Sequence, residues 1–591
     1  MKHLTRREML KLMAAAAAGG VLAACSKATE APLAQPTKAP ESAKAPDATK
    51  VPESTKAPES TKAPEATKAP AATNTPEPTA VPPKAEPIEV KLVECWFGLP
   101  QYQDVLDPIN DLISEKMQSE GLNIRIKSIV LDDHQNQYPA LYSTQADFTM
   151  AWDAQWVIMN QLRDDGSIIP IEDLLQQYGP NVLAKYDAPV LEFNRYNKDK
   201  HLYGLPIFGI YGETVGMYIR EDLRAKYGVA LPEGNGTLAA WRSLEPYLEA
   251  IKANEGKMIP FGNTTRYSLP GNSVTAYDDG SPSWALGLQG AGAFGLGILD
   301  CRDPKFENSE DMPGGTDAAA ILRDWWERGL INKDDINPTT SMEAEFLATG
   351  KIGAQLVNGP ETGRSAAEAQ LKQNFPDASL AAIDMTGLMN GKQKPLGGRK
   401  QWNWYVWNAN APQEQQIAGM QFMDWIMSSD ENIDLWTFGV DGKNYKAEPD
   451  RQFSEIEGVD PTTNYRREWY ISGVPMKYLR VPTGLSEVEK KLRAVRQDVN
   501  QWRFAGPFET FTWDWDSKAV EELSAKLNAV AAEANFGLIT GQMPTDEGVK
   551  KLKELLDGAG RQEMKDALNK QLDEFIKANQ SEVDAWLSAN K

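Results

Sequence analysis

Apolar and polar residues alternate over residues 88–92, at the start of the long C-terminal part of the chain. A period of two is typical of a strand with one buried face. The next apolar residues recur at helical spacing over 109–117, and the Asp-Pro pair before them is a favourable helix start. Apolar or alternating runs at 124–126 and 148–152 predict two more strands. Strands that alternate with helices in this way predict an α/β fold with largely parallel strands.

The same pattern returns further along the chain and then changes. A strand is predicted at 214–219, and a helix is predicted to begin at Thr237. From about residue 517 the apolar residues keep to helical spacing only, which predicts an all-helical tail. The body over residues 87–591 is too long for one hydrophobic core, so we expect at least two domains.

The first 24 residues have the layout of a cleaved export signal. Arg6 and Arg7 precede an Ala-rich apolar run that is too short to cross a bilayer. The run ends in Leu-Ala-Ala-Cys at 22–25, the pattern of a lipobox whose cysteine is lipidated after cleavage. We therefore predict a twin-arginine signal peptide at 1–24 and a lipid on Cys25. The expected location is extracytoplasmic, anchored to the outer face of the cell membrane.

Residues 25–86 are predicted to be a disordered linker. After Cys25 they are almost entirely Ala, Pro, Thr, Lys, Glu and Ser, and they contain no aromatic residue. Such a segment buries too little apolar surface to offset the entropy of ordering. Frequent proline favours an extended spacer, which would hold the body away from the membrane.

Charge and cysteine content narrow the function classes. The formal net charge of −21 makes nucleic acid a poor partner, because the phosphates would be repelled. Cys95 and Cys301 are far apart in sequence, so they are either buried small residues or a disulfide. We expect a monomer that needs no cofactor.

Little in the sequence indicates an enzyme. After the signal the only histidines are His134 and His201, and neither Cys-x-x-Cys nor His-Glu-x-x-His occurs. Asp514 and Asp516 are the most suggestive pair of carboxylates, and a lone Gly-x-Gly-x-x-Gly pattern at 290–295 is weak. We predict a protein without catalytic residues. The alternative is an exported carbohydrate-active enzyme or a cofactor enzyme.

Five segments, in the same order along the chain, resemble the bacterial family 1 extracellular solute-binding proteins of ABC importers. They include His-Leu-Tyr-Gly-Leu-Pro and the Gly-Lys-Ile-Gly segment, and the later ones are similar to a long lipoprotein subgroup. Each segment alone is a weak signal, but their common order is specific. The segments are 201–206, 218–228, 346–353, 424–445 and 536–575.

The resemblance implies a two-lobe fold of the type II periplasmic-binding-protein class, with a hinge and a helical C-terminal extension. It also implies an ABC permease as partner and capture of a carbohydrate, most simply an oligosaccharide, between the lobes. A peptide or another polar solute stays open as an alternative ligand. The boundaries expected are 87–207 with 392–440 for the first lobe and 212–385 with 441–591 for the second, which includes the helical module.

Sugar binding requires flat aromatic faces for the C–H side of the rings and polar side chains for the hydroxyls. Tryptophans that follow strands or lie near the expected hinge are therefore the candidates. Trp425 and Trp436 lie on helical stripes and are expected in the core. The predicted ligand-binding residues are Trp96, Trp152, Asp153, Tyr211, Trp402, Asn403 and Trp404.

Some members of this family carry a calcium loop just before an Ile-Pro-Phe sequence. This chain has that sequence at 259–261, but the preceding residues 253–257 are too few and too poor in oxygen ligands to surround calcium. We predict no metal site.

Overall fold

The computed structural model describes residues 86–590, except 96–102, 132–133, 145–146, 208–209, 233, 235, 264–280, 289–293, 313, 335–344, 389–393, 460–462 and 468. The predicted signal peptide, the lipidated Cys25, nearly all of the linker and the candidate Trp96 lie outside the described residues.

The described strands are short and spread over the whole body. In chain order they are β1 (Ile88–Cys95), β2 (Ile124–Leu131), β3 (Met150–Ala154), β4 (Leu205–Pro206), β5 (Val215–Arg220), β6 (Ile259–Gly262), β7 (Leu286–Gly287), β8 (Leu296–Ile298), β9 (Phe306–Asn308), β10 (Ile352–Asn358), β11 (Leu380–Asp384), β12 (Leu396–Gly397), β13 (Asn403–Trp407), β14 (Lys446–Glu448), β15 (Gln452–Ser454), β16 (Val481–Pro482) and β17 (Arg503–Phe504).

The described helices vary widely in length. The first ten are α1 (Gln103–Ser119), α2 (His134–Ser143), α3 (Met159–Asp164), α4 (Glu172–Tyr178), α5 (Pro180–Lys185), α6 (Ala188–Phe193), α7 (Glu221–Lys226), α8 (Leu238–Trp241), α9 (Glu245–Asn254) and α10 (Asp317–Glu327). They are followed by α11 (Pro360–Asn374), α12 (Gln413–Ser428), α13 (Asp430–Phe438), α14 (Trp469–Ser472), α15 (Glu487–Gln497), α16 (Pro507–Asp514), α17 (Glu521–Thr540), α18 (Thr545–Gly558), α19 (Arg561–Ala578) and α20 (Gln580–Ala589).

The first sheet has five strands in the order β2-β1-β3-β13-β4. The strands β1, β2 and β3 predicted from the sequence are confirmed, and they are parallel. The side chains of Ile124 and Ile126 are buried and those of Arg125 and Lys127 are exposed, as the period of two requires. Helices α1 and α12 pack against this sheet, and Trp425 and Trp436 are in the core as expected.

The second sheet has four strands in the order β11-β5-β10-β6, with its own apolar core. The strand predicted at 214–219 is β5. The helix predicted at Thr237 begins there, since the Thr237 hydroxyl accepts the N–H of Ala240 at 3.3 Å, but it is divided into α8 and α9 before Pro246.

The expectation of largely parallel strands is wrong in part, because both sheets are mixed. Strand β13 is antiparallel to β3 and β4, and β5 is antiparallel to β10 and β11. The reason lies in the chain path. Strands β13 and β5 each enter their sheet at the edge where their neighbours end. Asn403, the first residue of β13, pairs with Ala154, and Val215, the first residue of β5, pairs with Asn358. A strand that enters at that edge must run in the opposite direction.

The C-terminal tail is helical, as predicted, and forms a third apolar core. Helices α16 to α20 pack with the small sheet β7-β8-β9. Leu527, Leu568 and Leu572, which lie on the predicted helical stripes, are buried. The helical part begins at Pro507, earlier in the chain than the expected position near 517.

The segment that follows residue 440, expected in the second lobe, packs with the first sheet. Tyr465 and Ile471 are buried in the core of the first sheet, and Trp436 donates from Nε1 to the carbonyl oxygen of Ser472 at 2.7 Å. Helix α15, by contrast, contacts the second sheet and its helix α11. There Arg364 donates from Nε to Glu489 Oε1 at 2.7 Å. The chain therefore changes sheets between 482 and 487.

Cys95 and Cys301 are both buried and are not joined in a disulfide, so the interpretation as buried small residues is confirmed. Within the described part of the chain, every helix is too short or too polar to cross a membrane.

Candidate functional site

The candidate site lies at the edge of the first sheet where β1, β2 and β3 end. Strand β3 ends at Ala154 beside Asn403, the first residue of β13. Ile207, which follows β4, donates its N–H to the carbonyl oxygen of Asn403 at 2.8 Å. The carboxyl ends of strands in α/β sheets are the usual place for ligands.

A small cavity of about 20 Å³ opens at this edge. Among its walls, the side chains of Trp402 and Asn403 are partly exposed. Asn403 Oδ1 accepts a hydrogen bond from Trp156 Nε1 at 3.3 Å, so an indole ring is bonded to this amide. This is the combination of an apolar face and a polar group that a sugar ring requires. The lining residues are Ile207, Ile210, Gly212, Gly398, Lys400, Gln401, Trp402 and Asn403.

Trp152 and Trp404, two of the predicted ligand-binding residues, do not line this cavity. Their side chains are 0% and 1% exposed. Strand β3 lies between β1 and β13, and its five residues are all buried, so neither face of the strand reaches solvent. Trp404 also donates from Nε1 to the carbonyl oxygen of Gln401 at 3.1 Å. In this structure the two rings belong to the core and offer no face to a ligand.

Asp153, another predicted ligand contact, is also buried. Its Oδ1 accepts the backbone N–H of Ala154 at 2.6 Å, and its Oδ2 has no hydrogen-bond partner among the described residues. Burial raises the pKa of the Asp153 carboxyl to about 7. The carboxyl does not line the cavity. Below about pH 7 it keeps its proton and is uncharged.

Within the segment 210–212, the side chain of Tyr211 faces away from the cavity that Ile210 and Gly212 line. Those two neighbours line the small cavity, whereas Tyr211 lines a second cavity of about 640 Å³. The same alternation holds for the adjacent segment, in which Gly398 and Lys400 face the first cavity. Arg399 between them faces the second cavity and lies over the ring of Phe504, 4.3 Å from its centroid. The structure therefore separates Tyr211 from Trp402.

The segments at 210–212 and 398–400 form the connection between the two sheets. A third segment, at 496–504, packs with them. Tyr211 donates its N–H to the carbonyl oxygen of Arg496 at 2.8 Å, and its own carbonyl oxygen accepts from Gly398 at 2.7 Å. Strand β12 pairs with β17 in parallel. A Cβ atom on Gly212 would lie 2.2 Å from the ring of Trp502, so only glycine fits this close approach. The expected hinge is therefore formed by three packed segments, of which one contains and another directly follows a short strand.

Buried ion pairs on both sides of the hinge were not predicted. Arg496 donates from Nη1 to Glu361 Oε1 at 2.5 Å and from Nη2 to Glu213 Oε2 at 3.1 Å. Burial raises the pKa of the Glu213 carboxyl, and the neighbouring Arg496 opposes that rise. On the other side, Lys400 forms an ion pair with Asp514 at 2.8 Å. No local sequence pattern marks such partners, which are far apart in the chain.

The suggestive carboxylates Asp514 and Asp516 are not a catalytic pair. Asp514 is paired with Lys400 inside the protein, whereas Asp516 is paired with Lys198 at 3.4 Å near the surface. Across the described residues, no group of three or more His, Cys, Asp or Glu side chains is arranged to hold a metal ion. The independence from metal stays a prediction.

Comparison with known proteins matches the C-terminal part of the chain to one family model. Residues 509–577 match a domain of unknown function, DUF3502. No curated protein sequence matches the chain.

Solved structures resemble nearly the whole body. One is the N-glycan transport solute-binding protein NgtS from Streptococcus pneumoniae in complex with Man5GlcNAc, with a TM-score of 0.59 and 17% sequence identity. The match covers 83% of this chain and 99% of NgtS. The chain has the fold of a solute-binding protein.

Two further structures with this solute-binding-protein fold are similar to the chain. The ABC-transporter substrate-binding protein FusA from S. pneumoniae, in complex with kestose, has a TM-score of 0.54 and 16% identity over 83% of this chain and 100% of FusA. An HMO-binding ABC-transporter-associated solute-binding protein from Bifidobacterium longum infantis has a TM-score of 0.53 and 15% identity, over 83% and 99%. The fold class expected from the sequence, a two-lobe solute-binding-protein fold with a helical C-terminal region, is thus confirmed.

Proposed function

We propose that this protein captures an oligosaccharide outside the cytoplasm and delivers it to an ABC permease. The observation that carries the proposal is the position of Trp402 and Asn403. They are partly exposed, line a cavity at the strand-end edge of the first sheet and lie directly beside the hinge. The fold supports it, because NgtS and FusA are solute-binding proteins whose structures contain glycans.

The chemistry of the cavity suits a ligand rich in hydroxyl groups. Trp402 supplies an apolar face, and the amides of Asn403 and Gln401 supply donors and acceptors. Lys400 also lines the cavity, but its charge is balanced by Asp514. A site of this composition recognises neutral sugars better than strongly charged ones.

Capture is proposed to involve closure of two lobes about the hinge. The first lobe would comprise residues 87–207 and 403–482, and the second 214–384 together with helix α15. Each has its own sheet and its own apolar core, which supports independent movement. Bound ligand would favour the closed form by the contacts that it makes with both lobes.

The anchor and the delivery step complete the proposal. A lipid on Cys25 would hold the protein at the outer face of the membrane, and the linker over 25–86 would let the body reach the permease. We propose that a single copy of the chain acts, without a cofactor and without catalysis.

The test is a calorimetric titration of the mature protein with a panel of neutral oligosaccharides, acidic oligosaccharides and peptides. We expect a neutral oligosaccharide to bind, and Trp402→Ala to weaken that binding by about 1–3 kcal/mol. The matched control is Trp326→Ala, a partly exposed tryptophan on α10 that does not line the cavity. Binding of peptides but of no sugar would contradict the proposal, as would equal loss in both variants.

A further inference from the structure

Helix α16, with which the domain of unknown function begins, holds a residue of the ligand cavity in place. Glu509 Oε1 accepts the backbone N–H of Lys400 at 2.7 Å. Asp514 Oδ2 accepts a hydrogen bond from Lys400 Nζ at 2.8 Å. Lys400 lines the cavity and lies two residues before Trp402, yet it is only 1% exposed. Both ends of this residue are therefore fixed by one helix.

The first lobe completes the attachment. Lys400 Nζ also donates to the carbonyl oxygen of Arg195 at 2.9 Å, and the N–H of Asn197 donates to Asp514 Oδ2 at 3.2 Å. Asn160 donates from Nδ2 to the carbonyl oxygen of Trp513 at 2.9 Å. The C-terminal end of α16 and its partner Lys400 are thus bonded to the part of the chain between β3 and β4.

Gln401, the next residue, is also held in place by a hydrogen bond. The N–H of Gln401 donates to Asn194 Oδ1 at 2.8 Å. Two consecutive residues are then immobilised immediately before Trp402 and Asn403, whose side chains are partly exposed. The order of these contacts sets the direction in which the indole and the amide enter the cavity.

A purely structural attachment would not need buried charge. Burial of an ion pair costs desolvation, and well-packed apolar residues attach a helix at least as firmly. Here Lys400 and Asp514 are nearly inaccessible, and burial raises the pKa of the Glu509 carboxyl to about 7. Directional bonds fix the position and register of the segment more narrowly than apolar contacts do.

We propose that helix α16 positions the ligand-facing segment 400–403, with Asp514 and Glu509 as positioning residues that act through Lys400. The inference rests on the proposed function, since it assigns this role in ligand capture. It also gives the domain of unknown function a role, because the first helix of that domain supports the binding site.

The test compares Asp514→Asn and Glu509→Gln with the control Asp516→Asn, which lies two residues further and pairs with Lys198 near the surface. Hydrogen exchange of a peptide covering 396–404 is measured without ligand, and oligosaccharide affinity is measured by calorimetry. We expect faster exchange in 400–403 and at least tenfold weaker affinity in the first two variants, with the control unchanged. Loss of melting temperature alone, with wild-type exchange and affinity, would overturn the proposal.

A double variant, Lys400→Met with Asp514→Leu, covers the case in which a single variant does not fold. It removes both charges together, so we expect a folded protein that still exchanges faster in this segment and still binds weakly. Wild-type affinity in the double variant would overturn the proposal. If the wild-type protein binds no oligosaccharide, the proposed function fails, whereas the exchange measurement still decides whether α16 positions the segment.

Discussion

Glu94 and Arg467 form an ion pair that is completely buried, with 2.8 Å between Oε2 and Nη2. They are 373 residues apart in the chain. Glu94 lies on β1, and Arg467 lies over the ring of Trp436, 3.6 Å from its centroid. Arg467 also donates from Nη1 to the hydroxyl of Tyr465 at 2.7 Å. This pair fixes the returning segment 465–479 in the first lobe.

Removal of one partner should therefore destabilise the first lobe. We expect Arg467→Met to lower the free energy of unfolding by about 3–5 kcal/mol, because Glu94 is left charged and unpaired in the core. The double variant with Glu94→Leu should recover most of that loss. Urea denaturation of the ligand-free protein measures both. A loss below about 1 kcal/mol in the single variant would mean that the pair is hydrated.

The buried tryptophans should respond differently from the exposed one. Trp404→Ala and Trp152→Ala are expected to cost about 3–5 kcal/mol of stability, because each leaves a cavity in the core of the first sheet. Trp402→Ala should melt near the wild-type temperature. Thermal denaturation of the three variants checks this contrast, and a low melting temperature for Trp402→Ala would place its ring in the core.

Asp153 should make stability depend on pH. Its folded-state pKa of about 7 lies above the ordinary value of 3.8, so the folded protein keeps a proton that the unfolded chain loses. The cost is absent below about pH 4, grows as the pH rises and is complete above about pH 7. Relative to Asp153→Asn, the wild type should lose on the order of 4 kcal/mol across that range. Urea unfolding at several pH values measures the difference, and parallel curves would refute it.

Gly212 should not tolerate a side chain. The Cβ atom of alanine would lie 2.2 Å from the ring of Trp502, and we expect Gly212→Ala to cost about 1–3 kcal/mol of stability. Gly256→Ala is the control, since nothing lies within 4 Å of its Cβ position. Addition of Trp502→Phe should restore part of the loss. Equal melting temperatures for the two alanine variants would show that the hinge is loosely packed.

Cys25 should determine where the protein is found in the cell. Lipidation at the predicted lipobox requires the thiol, so Cys25→Ala is expected to release the mature protein from the membrane fraction. Ser26→Ala, the adjacent residue, should leave the protein membrane-bound. Recovery of the Cys25 variant in the membrane pellet at the wild-type level would exclude the lipid anchor.

The local pattern of apolar and polar residues was sufficient to predict a strand or helix when the residues that contact it are close to it in sequence. The alternation around Ile124 defined β2, and the helical spacing around Leu568 defined α19. It could not show that β13 enters its sheet from the hinge, or that Tyr465 returns to the first core, because both depend on contacts between distant segments.

The same limit applies to the site. Trp402 and Trp404 could not be told apart from the sequence. Trp402 directly precedes β13, and Trp404 lies within it. Only the position of β13 between β3 and β4 decides that one ring is covered and the other is not. Similarly, Asp514 stood out as a carboxylate between two tryptophans, but its partner Lys400 lies 114 residues away.

The two cavities share a wall, since the hinge segments at 210–212 and 398–400 present alternate side chains to each. For the design of an inhibitor, the larger cavity is the better target. A sugar cleft favours polar mimics with modest affinity, whereas the second cavity, of about 640 Å³, has aromatic walls at Phe193 and Tyr211 beside the guanidinium of Arg399. Under the proposed function, a compound bound there would contact the hinge segments on the side away from the first cavity, so it would not compete with the sugar.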